Sequence, residues 1–153
     1  MKNKHISKEM HACLKRYWGY GQFRPGQEDT ILAILDEREI LTILPTGAGK
    51  SLCFQLPALL MDGMAVVISP LISLMKDQVD GLKDMGILAE CLNSSQGFAQ
   101  QRSVIERIRN KEVKLLYISP ERLQTEETIG LLGSAALSFF VIDEAHCISH
   151  WGH

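Results

Sequence analysis

At 153 residues the chain has the size of one domain and is long enough to bury a core. Its 46% hydrophobic and 22% charged content is that of an ordinary globular protein and excludes a low-complexity or disordered chain. The formal charge of −2, from 16 basic and 18 acidic residues, leaves no global basic field for passive nucleic-acid binding, although a local track of contacts stays open.

Met1-Lys2-Asn3-Lys4-His5 is followed by no apolar core, so no signal peptide is expected. Ser7 is placed to cap a helix through Tyr17, with Met10, Leu14 and Tyr17 on one face. Pro25 suits the first turn of a second helix, which carries Ile31, Leu32, Ile34 and Leu35 and ends near Asp36. From there apolar runs alternate with helical patterns. Strands are expected near 40–44, 64–69, 87–92, 113–118 and 138–142, with helices near 50–61, 71–85, 97–110 and 121–132. Continuous apolar strands separated by helices of this length imply an α/β fold with a parallel sheet covered on both faces. The most apolar region, 56–75, is broken by Asp62, Gly63 and two prolines and does not read as a membrane span.

Several side chains have plain readings. Met61, Met64, Met75 and Met85 are expected to fill the core, and Arg102, Arg107 and Arg109 to form a solvated helix face. The four cysteines are scattered without any Cys-x-x-Cys. Cys53 and Cys91 read as small core residues of a protein in a reducing, intracellular compartment.

In open parallel sheets ligands bind beyond the carboxyl ends of the strands. Thr46, Ser69-Pro70, Asn93-Ser94, Ser119-Pro120 and Asp143-Glu144 each follow an apolar run and should share that edge. Each Ser-Pro alone is a helix-starting turn, and only the convergence keeps a functional reading open.

Two elements carry chemistry. Leu44-Pro45-Thr46-Gly47-Ala48-Gly49-Lys50-Ser51 follows an apolar run and opens a helical pattern. Its glycines let backbone N–H groups curl around phosphate oxygens, and the helix start behind them favours anions. Lys50 can reach the β- and γ-phosphates, and the Ser51 hydroxyl can ligate Mg²⁺. The strict pattern wants a small residue where Leu44 stands. The second element, Asp143-Glu144-Ala145-His146, follows Phe139-Phe140-Val141-Ile142. Asp143 is placed to hold the metal and Glu144 to orient or activate an attacking water. Both at strand ends, in this order, point to nucleoside triphosphate chemistry.

The order of motifs resembles superfamily 2 helicases, and their wording resembles the RecQ DNA helicases. The segments are Phe23-Arg24-Pro25-Gly26-Gln27, the phosphate loop from Pro45 through Ser51, Ser69-Pro70-Leu71-Ile72-Ser73-Leu74-Met75-Lys76-Asp77-Gln78, Tyr117-Ile118-Ser119-Pro120-Glu121-Arg122-Leu123, and Asp143 onward. The resemblance implies a RecA-like P-loop fold over 1–153, with helices over 7–36 carrying an adenine-recognition motif. Gln27 would pair with the N6 and N7 edge of adenine, while Tyr20 and Arg24 sandwich the base. Thr46, Gly47, Ala48, Gly49, Lys50 and Ser51 would hold the phosphates, with Mg²⁺ on Ser51 and Asp143. Lys50, Asp143 and Glu144 would be the catalytic set. Ser69, Pro70, Ser119 and Pro120 would grip one DNA strand through sequence-independent contacts.

His146-Cys147-Ile148-Ser149-His150-Trp151-Gly152-His153 puts four possible metal ligands in eight residues, but the spacing is not that of a standard zinc module. The resemblance makes it the start of an aromatic-rich loop in which Trp151 senses single-stranded DNA. His150 stands where glutamine is usual.

The resemblance further implies an ATP- and Mg²⁺-dependent 3′-to-5′ helicase acting on single-stranded and partly duplex DNA, in the nucleoid or nucleus. On this reading the chain is the first part of one motor half, incomplete at its C-terminus. A sensor strand between the P-loop strand and the strand ending at Ile142, and a second RecA-like domain with an arginine finger, are expected beyond it. The fragment by itself would be marginally folded, bind nucleotide weakly and turn over little ATP. A non-motor P-loop ATPase or switch, and an inactive fragment, are the other readings.

Overall fold

The computed structural model describes residues 2–44 and 49–144. The chain divides between residues 61 and 62 into two compact units.

The first unit is helical. Helix α1 (Lys2–Cys13) runs into a π-helical turn, Leu14–Trp18, that Gly19 closes in the left-handed region at φ 75°. Helices α2 (Gln27–Leu35) and α3 (Leu52–Leu60) follow. Met10, Cys13 and Leu14 pack with Ile31 of α2 and Leu52 and Leu56 of α3, and Tyr17 lies against this cluster. The expected face of Met10, Leu14 and Tyr17 is therefore the buried one, but Ser7 lies inside α1 and does not cap it. Its carbonyl oxygen instead lies 2.8 Å from His11 Nδ1.

Residues 40–44 are the main departure from expectation. They take no regular strand and pair with no described strand. Ile40, Leu41 and Ile43 stand 42%, 82% and 86% exposed. An apolar run reports a demand for burial, whereas a strand also needs a hydrogen-bonded neighbour. The segment is held to α2 through its one polar residue, Thr42, whose hydroxyl lies 3.3 Å from that of Thr30.

The second unit is a parallel α/β sheet. Strands β1 (Met64–Ile68), β2 (Ala89–Leu92), β3 (Leu115–Ile118) and β4 (Leu137–Ile142) lie in the order β2-β3-β1-β4. Every pairing is parallel. Gly63 sets the start of β1: at φ 91° it lies so close to β4 that a Cβ would meet the Ala136 carbonyl at 2.9 Å. Helix α4 (Ile72–Asp84) joins β1 to β2, and α5 (Phe98–Arg109) joins β2 to β3. Helices α6 (Pro120–Leu123) and α7 (Glu126–Ser134) together join β3 to β4, where a single helix was expected.

The alternation of side chains explains the core. Met64, Val66, Ile68, Leu92, Leu116 and Ile118 turn to one face, where α5 supplies Val104, Ile105 and Ile108 and α7 supplies Leu131 and Leu132. Ala65, Val67, Leu115 and Tyr117 turn to the other face and are equally buried, and α4 packs on β2 and β3. The connection from β1 steps across the sheet in one direction, and those from β2 and β3 step back in the other. Right-handed crossovers then require the helices to lie on opposite faces, as they do.

Met64 and Met75 fill the core as expected, whereas Met61 and Met85 are only half buried. Arg102, Arg107 and Arg109 are exposed as expected, and Arg107 has a further role. It pairs with Glu90 of β2, a buried carboxylate that Lys83 also reaches at 3.3 Å. A buried acid between two cations on an edge strand discourages pairing with another chain. No described helix is long and apolar enough to cross a membrane.

Cys53 is buried as expected, Cys91 is half buried, and Cys13 joins the helical core. Burial pushes the thiols of Cys13 and Cys53 up from 9.0 to about 11, with the Arg16 charge opposing the rise at Cys13. Because the folded values exceed the unfolded ones, this contribution to stability is complete below pH 9 and disappears as pH rises toward 11. The melting temperature should fall over that window, and less steeply in the double variant Cys13→Ala/Cys53→Ala. Melts followed by circular dichroism at pH 8, 9, 10 and 11 check this.

Candidate nucleotide and strand site

The helical unit holds the adenine and phosphate-loop candidates. Phe23 anchors the motif it begins, with its ring edge-on to His11 of α1 at 4.9 Å. Gly26 takes φ 86° and turns the chain into α2, and the Gln27 amide closes the turn on the Arg24 carbonyl at 3.1 Å. Gln27 is thereby buried at 4% exposure. Its Oε1 accepts from the Arg24 backbone amide at 2.8 Å, and its Nε2 donates to the Gly49 carbonyl at 3.1 Å. The side-chain amide thus bridges the start of α2 and the glycine that leads into α3. Tyr20 and Arg24 are exposed on the same stretch of chain.

Gly49 takes φ 73°, and a Cβ on it would fall 2.5 Å from Gln27 Nε2. Lys50 is exposed and makes no ion pair with any described residue. Ser51 is already helical at φ −60° and ψ −39°, with no side-chain capping bond, immediately before α3. Cys53 lies beside the same glycine, its thiol 3.7 Å from the Gly49 carbonyl. Pro45, Thr46, Gly47 and Ala48 lie outside the described residues, as do the histidine-rich stretch and Trp151.

The sheet unit holds the acids and the Ser-Pro turns. Ile68, Leu92, Ile118 and Ile142 end their strands in register, so the residues after them share one edge. Ser69 donates its amide to the Ile118 carbonyl at 3.1 Å, Ser119 to Leu92 at 3.3 Å, and Asp143 to Ile68 at 2.9 Å. Four of the five expected edge elements therefore converge. The chain leaves β1 toward one face and β3 toward the other, so a crevice opens between the Ser69-Pro70 and Ser119-Pro120 turns. Such a switch point is where open α/β sheets take ligands.

The two serine hydroxyls face inward. Ser69 and Ser119 are each 1% exposed. Ser119 Oγ caps α6 by accepting from the Arg122 amide at 3.3 Å, with Pro120 in the first turn. Ser69 Oγ lies 3.4 Å from the Leu71 amide. Arg122 is 9% exposed and is also turned inward: it donates to Thr125 Oγ1 at 2.9 Å and to Glu127 at 2.8 Å. These groups shape the turns: Ser69, Ser119 and Pro120 are buried, and Pro70 is half buried.

Asp143 and Glu144 form a tight turn. The Glu144 amide donates to Asp143 Oδ1 at 3.0 Å, and Glu144 takes φ 56°, a left-handed conformation uncommon for a side-chain-bearing residue. Both side chains are half buried. Asp143, directly after a parallel strand, is an oxygen donor of the kind a hard divalent cation takes.

Comparison with known proteins gives a consistent picture. The profile of the DEAD/DEAH box helicase family matches residues 24–153. The chain is 52% identical over 142 residues to the ATP-dependent DNA helicase RecQ of Haemophilus influenzae, covering 93% of this chain and 23% of that one. It is 47% identical over 143 residues to the RecQ helicase of Bacillus subtilis, covering 93% and 24%. The chain thus spans about a quarter of the length of these relatives. In structure it resembles a hypothetical ATP-dependent RNA helicase from Sulfolobus tokodaii, with a TM-score of 0.72, 22% identity, and coverage of 95% of this chain and 43% of that one. The last similarity establishes the RecA-like α/β fold.

Proposed function

Because the chain belongs to the DEAD/DEAH box helicase family, we propose that it forms the ATP-binding part of a RecQ-like DNA helicase. In that enzyme ATP hydrolysis would drive 3′-to-5′ movement along single-stranded DNA and the opening of duplex. The observation that carries this reading is the bond from the Gln27 side-chain amide to the Gly49 carbonyl. It ties the residue suited to read adenine to the glycine that begins the phosphate-binding helix.

The residues then take these roles. Tyr20 and Arg24 stack on the base, and Gln27 pairs with its edge once its amide exchanges the Arg24 and Gly49 bonds for the base. The backbone of Thr46, Gly47, Ala48 and Gly49 cradles the phosphates, and Lys50 neutralises the charge that grows on the γ-phosphate. Ser51 and Asp143 would hold Mg²⁺, which supplies charge neutralisation on the β- and γ-oxygens when bound. Glu144 orients the attacking water. Ser69, Pro70, Ser119 and Pro120 line the crevice for one DNA strand, and Trp151 reports its arrival. The work is intracellular, on DNA.

The test is complementation. This chain alone should turn over ATP negligibly, with or without single-stranded DNA. Joined to the remaining three-quarters of the Bacillus subtilis relative, it should hydrolyse ATP and be stimulated at least tenfold by single-stranded DNA. Turnover unaffected by DNA in the joined protein would instead favour a non-motor ATPase.

A further inference from the structure

Phe98, the first residue of α5, is 80% exposed, while Val104, Ile105 and Ile108 of the same helix are buried against the sheet. A single exposed apolar side chain is ordinary by itself. Its setting is not. Phe98 follows the loop that leaves β2 at the ligand edge, where the Ser119 amide donates to the carbonyl of Leu92, the last residue of β2, at 3.3 Å.

The loop is also fixed from within. Asn93 is 3% exposed, and its Oδ1 accepts from the Ser95 amide at 3.0 Å and from the Ser95 hydroxyl at 2.5 Å. Gln96 Oε1 accepts from the Asn93 amide at 3.0 Å, and Gln96 Nε2 donates to the Cys91 carbonyl at 2.8 Å. Gln101 Nε2 donates back to the Gln96 carbonyl at 2.9 Å. Side-chain amides thus pin both ends of a short surface loop and present the Phe98 ring in one place. Preorganisation of this kind lowers the entropy lost when a ligand stacks.

Arg102 lies one helical turn further along the same face of α5. It is exposed, and no described carboxylate lies within ion-pair distance. An aromatic face for a base and a guanidinium for the next phosphate are the two parts of a non-specific single-strand contact.

We propose that Phe98 and Arg102 form a stacking station for one nucleotide of single-stranded DNA, extending the path from the crevice between β1 and β3 outward over the end of β2. The station rests on the DNA-helicase reading above. It predicts that a base, rather than the sugar-phosphate chain alone, is recognised at this end of the path.

The experiment uses the protein joined to the remainder of its Bacillus subtilis relative and measures binding of a fluorescently labelled oligothymidylate, and of an abasic oligomer of equal length, by anisotropy at low salt. Phe98→Ala should weaken oligothymidylate binding about tenfold, the loss of one base stack, and leave the abasic oligomer within twofold of the parent. Phe98→Trp should retain binding, and its added indole fluorescence should be quenched by oligothymidylate. Arg102→Ala should weaken both oligomers and flatten the salt dependence. Equal affinity of Phe98→Ala and parent for oligothymidylate would overturn the station while leaving the helicase reading intact. Equal weakening of both oligomers by Phe98→Ala would also overturn it, since that is a structural effect. A parent that binds neither oligomer would overturn both proposals.

Discussion

In the protein joined to the remainder of its Bacillus subtilis relative, Glu144→Gln should reduce ATP turnover about 10²- to 10⁴-fold while leaving nucleotide affinity within about threefold. The substitution keeps the shape and removes the carboxylate that would take or orient the proton of the attacking water. Geometry makes the expectation sharp. Glu144 sits at φ 56° with its amide donating to Asp143 Oδ1, so the turn holds the side chain at the end of β4 whatever group it carries. An amide there preserves that turn, so a drop in turnover without a drop in binding reports chemistry and not folding. Single-turnover hydrolysis and fluorescent-nucleotide titration separate the two. An equal loss in both would assign Glu144 to binding.

Gly49→Ala should have the second large effect, here on the assembly of the site. At φ 73° the backbone lies where an alanine costs about 1–2 kcal/mol, and the new methyl carbon would fall 2.5 Å from Gln27 Nε2. The Gln27 amide must then leave the Gly49 carbonyl. We expect a melting temperature lower by about 3–8 °C and nucleotide affinity lower by at least tenfold. Gln27→Ala removes the obstructing amide without straining the backbone. In the double variant the clash is gone and only the strain remains, so its loss should be smaller than the sum of the two single-variant losses. Strict additivity would show that Gln27 and Gly49 do not communicate. Melts and nucleotide titrations of the four proteins give the answer.

Much of the architecture was legible because the buried strands announce themselves. Residues 64–68 and 115–118 are continuous apolar runs, and both lie at the centre of the sheet. The polar residues that follow four of the runs marked the ligand edge for the same reason. Residues 40–44 show the limit of that signal. Their run is as apolar as β1, but periodicity contains no information on whether a neighbouring strand is there to pair with. The break between α6 and α7 had a local signal that was outweighed: Thr125 caps α7 by accepting from the Thr128 amide at 3.3 Å, with Glu126 and Glu127 in the first turn.

The site divides in the same way. Lys50, Ser51, Asp143 and Glu144 stand in short motifs whose chemistry is local. Gln27 needed the family resemblance, because its partner Gly49 lies 22 residues away. Arg107 lies on the wet face expected of it, but its pairing was not legible because Glu90, its partner, sits 17 residues earlier on another element. Asn93 was placed on the edge but gave no sign that it organises the loop before Phe98, since that role comes from side-chain amides on both sides of it.

The central claim is that residues 27 and 49–51 form part of a nucleotide site, and thermal unfolding of the chain with and without saturating Mg-ADP, beside Lys50→Ala, tests it most directly. Ligand at about ten times its dissociation constant contributes about 1.4 kcal/mol, which for a chain of this length raises the melting temperature by about 3–6 °C. The account predicts that rise in the parent and its loss in Lys50→Ala. The same rise in both proteins, or none in a cooperatively unfolding parent, would contradict it.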